Sequence, residues 1–157
     1  MERIVSFWGG VLALVLLGCI AGAGGVSAAS PPCTLTRADG LGPFYEPNAP
    51  ERDHTGQGLV ISGTVRSARD CSPLDGAVIE WWSANPRGDY DLAHRATQRA
   101  SADGGYQYTT DLPGRYPGRP LHVHVRVTAP GHHTLVTQVY PQPAQTALSV
   151  DLVLAPP

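Results

Sequence analysis

The segment Leu121-His122-Val123-His124-Val125-Arg126-Val127-Thr128 alternates apolar and polar side chains over its whole length. That period of two predicts a β-strand with one buried face. Val123, Val125 and Val127 take the buried face, and His122, His124 and Arg126 take the other. Two imidazoles on one strand face are either the start of a metal site or a solvated pair, and the pattern alone leaves both open. Just upstream, Pro113-Gly114-Arg115-Tyr116-Pro117-Gly118-Arg119-Pro120 is dense in turn residues. Its Pro-Gly elements restrict the backbone around Tyr116 and set a phenol, a harder oxygen donor, shortly before the histidines.

The same punctuation recurs outward from this strand. Eighteen glycines and fifteen prolines argue against long helices. Strands are predicted over 59–67, 77–84, a short piece at 97–100, 107–110, 121–128, 134–140 and 148–154. In the first, Leu59, Ile61 and Val65 share a face opposite Val60, Ser62 and Thr64. Turns are expected at 72–76, 85–88, 103–105, 112–114 and 129–131. Seven short strands at this spacing predict one all-β sandwich or barrel, and no internal repeat is present.

The first residues read differently. Arg3 precedes the apolar run from Val11 to Leu17, and small residues follow up to Ala29. That order predicts an export signal over 1–28, cut near Val26-Ser27-Ala28, with the folded domain at 29–157. A second reading takes Leu16-Leu17-Gly18-Cys19 as a lipoprotein signal, which would anchor the chain to a membrane through a lipidated Cys19. Both readings place the domain outside the cytoplasm, secreted or periplasmic. Cys33 and Cys71 then remain as an even pair and are expected to form a disulfide, worth about 3 kcal/mol; two buried free thiols are the alternative. The net charge of −2 and the absence of any charge run give no sign of a nucleic-acid partner. All eleven basic residues are arginine, which excludes lysine-based catalysis.

Six histidines are available: His54, His94, His122, His124, His132 and His133. His132 and His133 follow Pro130-Gly131 and are expected in a solvated turn, and His54 in a polar loop. His94 is ambiguous, since a loop could bring it to the site. Tyr90 is expected in the loop leaving the Trp81-Trp82 strand. A free phenol, with a pKa near 10, is a poor ligand, but a strongly charged cation ionises it. Phenolate and imidazole together suit Fe(III) better than Zn(II). A lone tyrosine, by contrast, usually packs on a turn.

The motifs taken in order resemble a family. Gly42-Pro43-Phe44-Tyr45 comes first, then the run from Pro73 to Asn85, then Gly88-Asp89-Tyr90. Ala102-Asp103-Gly104-Gly105-Tyr106, the run from Pro113 to Arg119, His122-Val123-His124 and Thr137-Gln138-Val139-Tyr140 follow. This sequence is similar to the intradiol ring-cleavage dioxygenases, and most to their small exported members. The resemblance spans Cys33 to Tyr140. It implies a single β-sandwich, the catalytic core of that family, and a non-haem Fe(III) held by Tyr90, Tyr116, His122 and His124. It implies cleavage of a catechol-type small molecule by O2, with one oxygen inserted between the hydroxyl-bearing carbons to give a cis,cis-muconate-type diacid. Tyr116 would leave the metal to accept a substrate proton. Arg119 would stabilise negative charge on the ring, and Gln138 would orient substrate or O2 and support a histidine.

Leu121 and Val123 depart mildly from the family's common Ala and Ile. The helical N-terminal region of larger members has no counterpart, so their dimer contacts do not transfer and the oligomeric state stays open. The stretch 91–96 is short, which suggests a substrate mouth that is either open or completed by a neighbour. Two other classes compete. A non-catalytic transthyretin-like β-sandwich module gives no reason for Tyr90, Tyr116, Arg119 and Gln138 to accompany the His-x-His. A copper site of superoxide-dismutase type needs more histidines and an aspartate than His132 and His133 supply.

Overall fold

A computed structural model describes residues 33–115 and 117–157. The predicted export signal at 1–28, Cys19 and Tyr116 lie outside the described residues. Among the described residues eight strands form: β1 (Leu59–Ser67), β2 (Val78–Ala84), β3 (Tyr90–Arg99), β4 (Gly105–Thr110), β5 (Val123–Thr128), β6 (Leu135–Val139), β7 (Ala147–Ser149) and β8 (Leu152–Leu154). One sheet runs β4-β1-β7, with β8 also beside β1; the other runs β3-β2-β5-β6. The predicted all-β sandwich is therefore what the chain forms, and among the described residues there is no helix.

Alternation sets the core. Leu59, Ile61 and Val65 of β1 and Leu152 and Leu154 of β8 are fully buried. They face Ile79 and Trp81 of β2 and the three valines Val123, Val125 and Val127 of β5 in one cluster. Trp81 stacks on Tyr108 of β4 with ring centroids 4.7 Å apart, so one aromatic pair joins the two sheets.

Three expectations need correction. The piece at 97–100 is only the end of β3, which begins at Tyr90. Tyr90 and His94 are thus strand residues, and 91–96 is not a loop at the substrate mouth. The final segment is two strands along one edge of β1 in a single register, because the chain steps out of the ladder at Asp151, whose carboxylate takes the Thr64 N–H in place of a backbone carbonyl. Gly63 makes room for that step: a side chain there would meet the Val150 carbonyl at 1.9 Å. Eight strands therefore replace the seven predicted. The strand predicted at 121 starts at Val123, since Pro120 and its turn hold the two preceding residues out of the ladder.

A long arm from Cys33 to Gly58 positions the site. It crosses the outer face of the β3-β2-β5-β6 sheet, strand by strand. Asp39 N–H donates to the Val136 carbonyl of β6 (2.9 Å). Gln138 Nε2 donates to the Gly40 carbonyl (2.8 Å). Tyr45 donates to Glu80 of β2 (2.9 Å). Arg95 of β3 donates to the Phe44 carbonyl (2.6 Å), and Arg52 N–H donates to the Thr97 carbonyl (2.9 Å). The start of the arm is tied down by the expected disulfide, Cys33–Cys71, with Cα atoms 5.2 Å apart. This cover explains why polar residues of β2, β3 and β5 are buried on the side away from the core.

Candidate functional site

Strand register builds the floor. Trp82 pairs with Arg95 on one side and with His124 on the other, and His124 pairs with Gln138. Arg95, Trp82, His124 and Gln138 thus form one row across all four strands, on the outer face under the arm. His124 stacks on Trp82 with centroids 4.9 Å apart and planes within 5°. A register shift in β2 between Trp82 and Ala84 brings Tyr90 opposite Ala84, at the end of the row.

His122 and His124 share a face as predicted, with ring centroids 4.8 Å apart. Tyr90 Oη lies 3.0 Å from His122 Nε2. The other nitrogen of His122, Nδ1, lies 2.8 Å from the Pro120 carbonyl. A carbonyl only accepts, so Nδ1 carries the proton and Nε2 turns its lone pair toward Tyr90. His124 is held neutral: burial, then the neighbouring His122 ring and the Arg119 charge, lower its pKa to about 4 against weaker upward pulls from Asp39 and Gly40. Its Nδ1 is buried and makes no hydrogen bond of ordinary geometry.

These atoms line a small cleft together with Gly40, Gly42, Pro43, Phe44, Arg119 and Gln138. Gly42 has φ of 74° and lies so close to His124 that a side chain there would meet its Cε1 at 3.0 Å. Phe44 stacks on Tyr90 with centroids 4.2 Å apart and planes within 14°. Arg119 Nη2 donates to Gln138 Oε1 (2.7 Å). Gln138 therefore bonds Arg119 and the arm carbonyl of Gly40 rather than a histidine.

Among the described residues no group of three or more His, Cys, Asp or Glu side chains converges to hold a metal ion. A metal here would have to draw on phenol oxygen. The donors fit that demand. Tyr90 Oη and His122 Nε2, a phenol oxygen and an imidazole nitrogen, face one another at 3.0 Å, with the His124 ring beside them. One imidazole has its tautomer fixed and the other is neutral.

The remaining histidines are used elsewhere. His54 bonds Asp53 (2.8 Å) in an exposed loop. His132 contacts Ser67 Oγ and the Pro130 carbonyl, each at 3.0 Å, and His133 is exposed. His94 is buried with its two nitrogens against Asp91 (2.8 Å) and Asp111 (3.1 Å). Asp91 also accepts from Asn85 Nδ2 (2.9 Å). Burial works against this carboxylate, but hydrogen bonds from Asn85 and His94 outweigh it and hold its pKa at about 2. A carboxylate depressed in the fold stabilises it above the ordinary value of 3.8, and that contribution is lost as pH falls toward 2. Asp91→Asn is therefore expected to lower Tm at neutral pH, with the gap to the parent narrowing below about pH 4. Thermal melts that keep the same gap at both ends of that range would contradict this.

Phe44, Trp82, Gly42, Asp39 and Tyr140 had no role assigned from sequence. The Gly-Pro-Phe-Tyr motif and the Trp81-Trp82 pair were signals, but their meaning depends on the arm lying over the sheet.

No family model matches the chain. Among curated proteins, 6-chlorohydroxyquinol 1,2-dioxygenase from Cupriavidus pinatubonensis is 31% identical over 134 residues, 64% of this chain and 48% of that protein. The Aspergillus niger protein named intradiol ring-cleavage dioxygenase prcA is 28% identical over 151 residues, 73% of this chain and 48% of its own. The chain spans about half the length of the curated relatives it matches. Among solved structures, the dioxygenase domain of a dioxygenase carbohydrate-binding protein fusion from Streptomyces sp. SirexAA-E is 30% identical. The match covers 79% of this chain and 100% of that domain, with a TM-score of 0.71. A dioxygenase domain matched from end to end, and relatives that carry the family's name, agree with the order of motifs along the sequence: this chain belongs to the intradiol ring-cleavage dioxygenase family.

Proposed function

We propose that the chain is an Fe(III)-dependent dioxygenase that opens a catechol-type ring with O2 between its two hydroxyl-bearing carbons, giving a cis,cis-muconate-type diacid. The observation that carries this is the convergence of Tyr90 Oη and His122 Nε2, 3.0 Å apart, beside the neutral His124 in one small cleft. Tyr90, Tyr116, His122 and His124 would hold the metal, Tyr116 being the ligand outside the described residues. A ferric ion so held supplies Lewis acidity toward the two catechol oxygens and the redox capacity that lets the ring react with O2.

The chain's own residues do the rest. The Pro120 carbonyl keeps the His122 proton on Nδ1, so Nε2 stays a donor. Trp82 and Phe44 hold the His124 and Tyr90 rings in plane, which fixes their donor atoms before substrate arrives. Tyr116, ionised to a phenolate as a ligand, would accept one proton from the catechol diol at its Oη. The Arg119 guanidinium faces the cleft and stabilises negative charge growing on the ring. Gln138 holds Arg119 there. Pro43 and Phe44 line the cleft and offer the ring an apolar surface.

Export is part of the same reading, supported by the leader-like 1–28 and by the Cys33–Cys71 disulfide, a bond of oxidising compartments. No observation favours a non-catalytic module or a copper site, since His132 and His133 are engaged or exposed away from the cleft. Ferric-loaded protein is expected to consume O2 when given a panel of catechols. Stoichiometric iron without O2 uptake on any member of the panel would overturn the proposal.

A further inference from the structure

Two side chains next to the cleft, behind Gln138, have no part in that scheme: Asp39 of the arm and Tyr140 just past β6. Tyr140 Oη donates to Asp39 Oδ2 at 2.5 Å and sits 3.3 Å from Gln138 Oε1. Gln138 Oε1 is the atom that accepts from Arg119 Nη2. We propose that Asp39 and Tyr140 are positioning residues that hold the Arg119 guanidinium at the cleft, an inference that rests on the charge-stabilising role given to Arg119.

Arg119 stands on an exposed turn, and a free arginine side chain samples many rotamers. It serves the cleft only if something restrains it. Gln138 is one restraint, and its amide cannot turn over: Nε2 donates to the Gly40 carbonyl, which keeps Oε1 toward Arg119. Tyr140 is the second. A phenol has one proton, and the short contact to a carboxylate takes it. The Tyr140 oxygen then has only lone pairs to offer its other neighbours. Two acceptor oxygens 3.3 Å apart, those of Tyr140 and Gln138, repel unless a donor lies against both; Arg119 Nη2 donates to that of Gln138, and Arg119 and Tyr140 line one pocket together.

Asp39 is fixed in turn by the arm. Its N–H donates to the Val136 carbonyl (2.9 Å) and its Oδ1 accepts from Gly40 N–H (2.6 Å). The hydrogen bonds from Tyr140 and then Gly40 hold its carboxyl below the usual range, so it stays an acceptor at neutral pH. Asp39 thus decides where the Tyr140 proton points, and that direction decides whether Tyr140 accepts from Arg119 or repels it. Asn at position 39 offers an amide donor and allows the hydroxyl to turn round.

The test uses the full chain with Asp39→Asn and Tyr140→Phe, each alone and combined with Arg119→Ala. In the ferric-loaded protein each single variant is expected to lower kcat for catechol about tenfold with KM nearly unchanged, the loss of an interaction made in the transition state. In the Arg119→Ala background neither is expected to lower kcat further. Unchanged kcat in both single variants, or an equal drop with and without Arg119, would overturn the inference. A second readout needs no turnover. By NMR of the metal-free protein the Arg119 Nη signals are expected to be resolved in the parent and averaged in Tyr140→Phe. Signals already averaged in the parent would overturn it. Resolved signals in a protein that cleaves no catechol would support the positioning and sink the catalytic reading instead.

Discussion

Replacing His122 with alanine is expected to abolish stable ferric-iron binding, and ring cleavage with it, while leaving the sandwich folded. His122 lies just before β5, at the edge of the cleft and not in the inter-sheet core, so the loss of its ring removes no side chain that joins the sheets. It does remove the one imidazole whose tautomer is fixed by a carbonyl and whose Nε2 faces Tyr90. Partners of ligands are themselves worth about 10–100-fold in metal affinity, so the loss of a ligand is expected to exceed that range. Iron content after dialysis, beside a far-UV spectrum and a melt, separates the two effects. An alanine variant that keeps stoichiometric iron and its turnover would show that His122 is not a ligand.

Trp81→Ala is expected to be the most destabilising single truncation in the core, by about 4 kcal/mol. The side chain is 1% exposed, stacks on Tyr108 at 4.7 Å and meets Tyr106 at 5.7 Å. With its amide turned to satisfy both neighbours, Gln98 accepts from Trp81 Nε1 (2.7 Å) and donates to the Gln107 carbonyl (3.0 Å). Alanine would leave a cavity between the sheets and an orphaned amide beside it, each a separate cost. Domains of this size are stable by about 5–15 kcal/mol, so the variant should populate unfolded chain at low urea. Trp81→Phe restores volume but not the Nε1 donor and should fall between. A urea midpoint for Trp81→Ala within experimental error of the parent would contradict the packing described. Trp82, one residue on, points the other way and braces His124, so the same dipeptide serves core and site.

Strands with one buried face were legible in the sequence. β1 and β5 alternate cleanly because one side meets the opposite sheet and the other carries polar residues. β3 was not, because the arm buries its polar residues. Arg95 reaches the Phe44 carbonyl and Glu46, and His94 sits between two carboxylates, so burial along β3 does not follow a period of two. The β7–β8 step was hidden for another reason. Asp151 interrupts an apolar run by accepting from Thr64 N–H (2.9 Å) and pairing with Arg66 across the sheet, and a strand pattern read in isolation carries no trace of that. At the site, the His-x-His pair, Tyr90, Arg119 and Gln138 were named from motifs, and the fold brings them to one cleft. What the motifs did not carry was the bracing: Phe44 on Tyr90, Gly42 against His124, and Asp39 with Tyr140 behind Gln138. Each depends on where the arm crosses the sheet, a tertiary fact set by scattered contacts from Asp39 to Arg52.

The position of ring opening tests the central claim most directly. Ferric-loaded protein given catechol and isotopically labelled O2 is expected to yield the cis,cis-muconate-type diacid with label incorporated, the ring cut between its two hydroxyl-bearing carbons. A semialdehyde product, from a cut beside the diol, or a quinone without incorporated label would contradict the account.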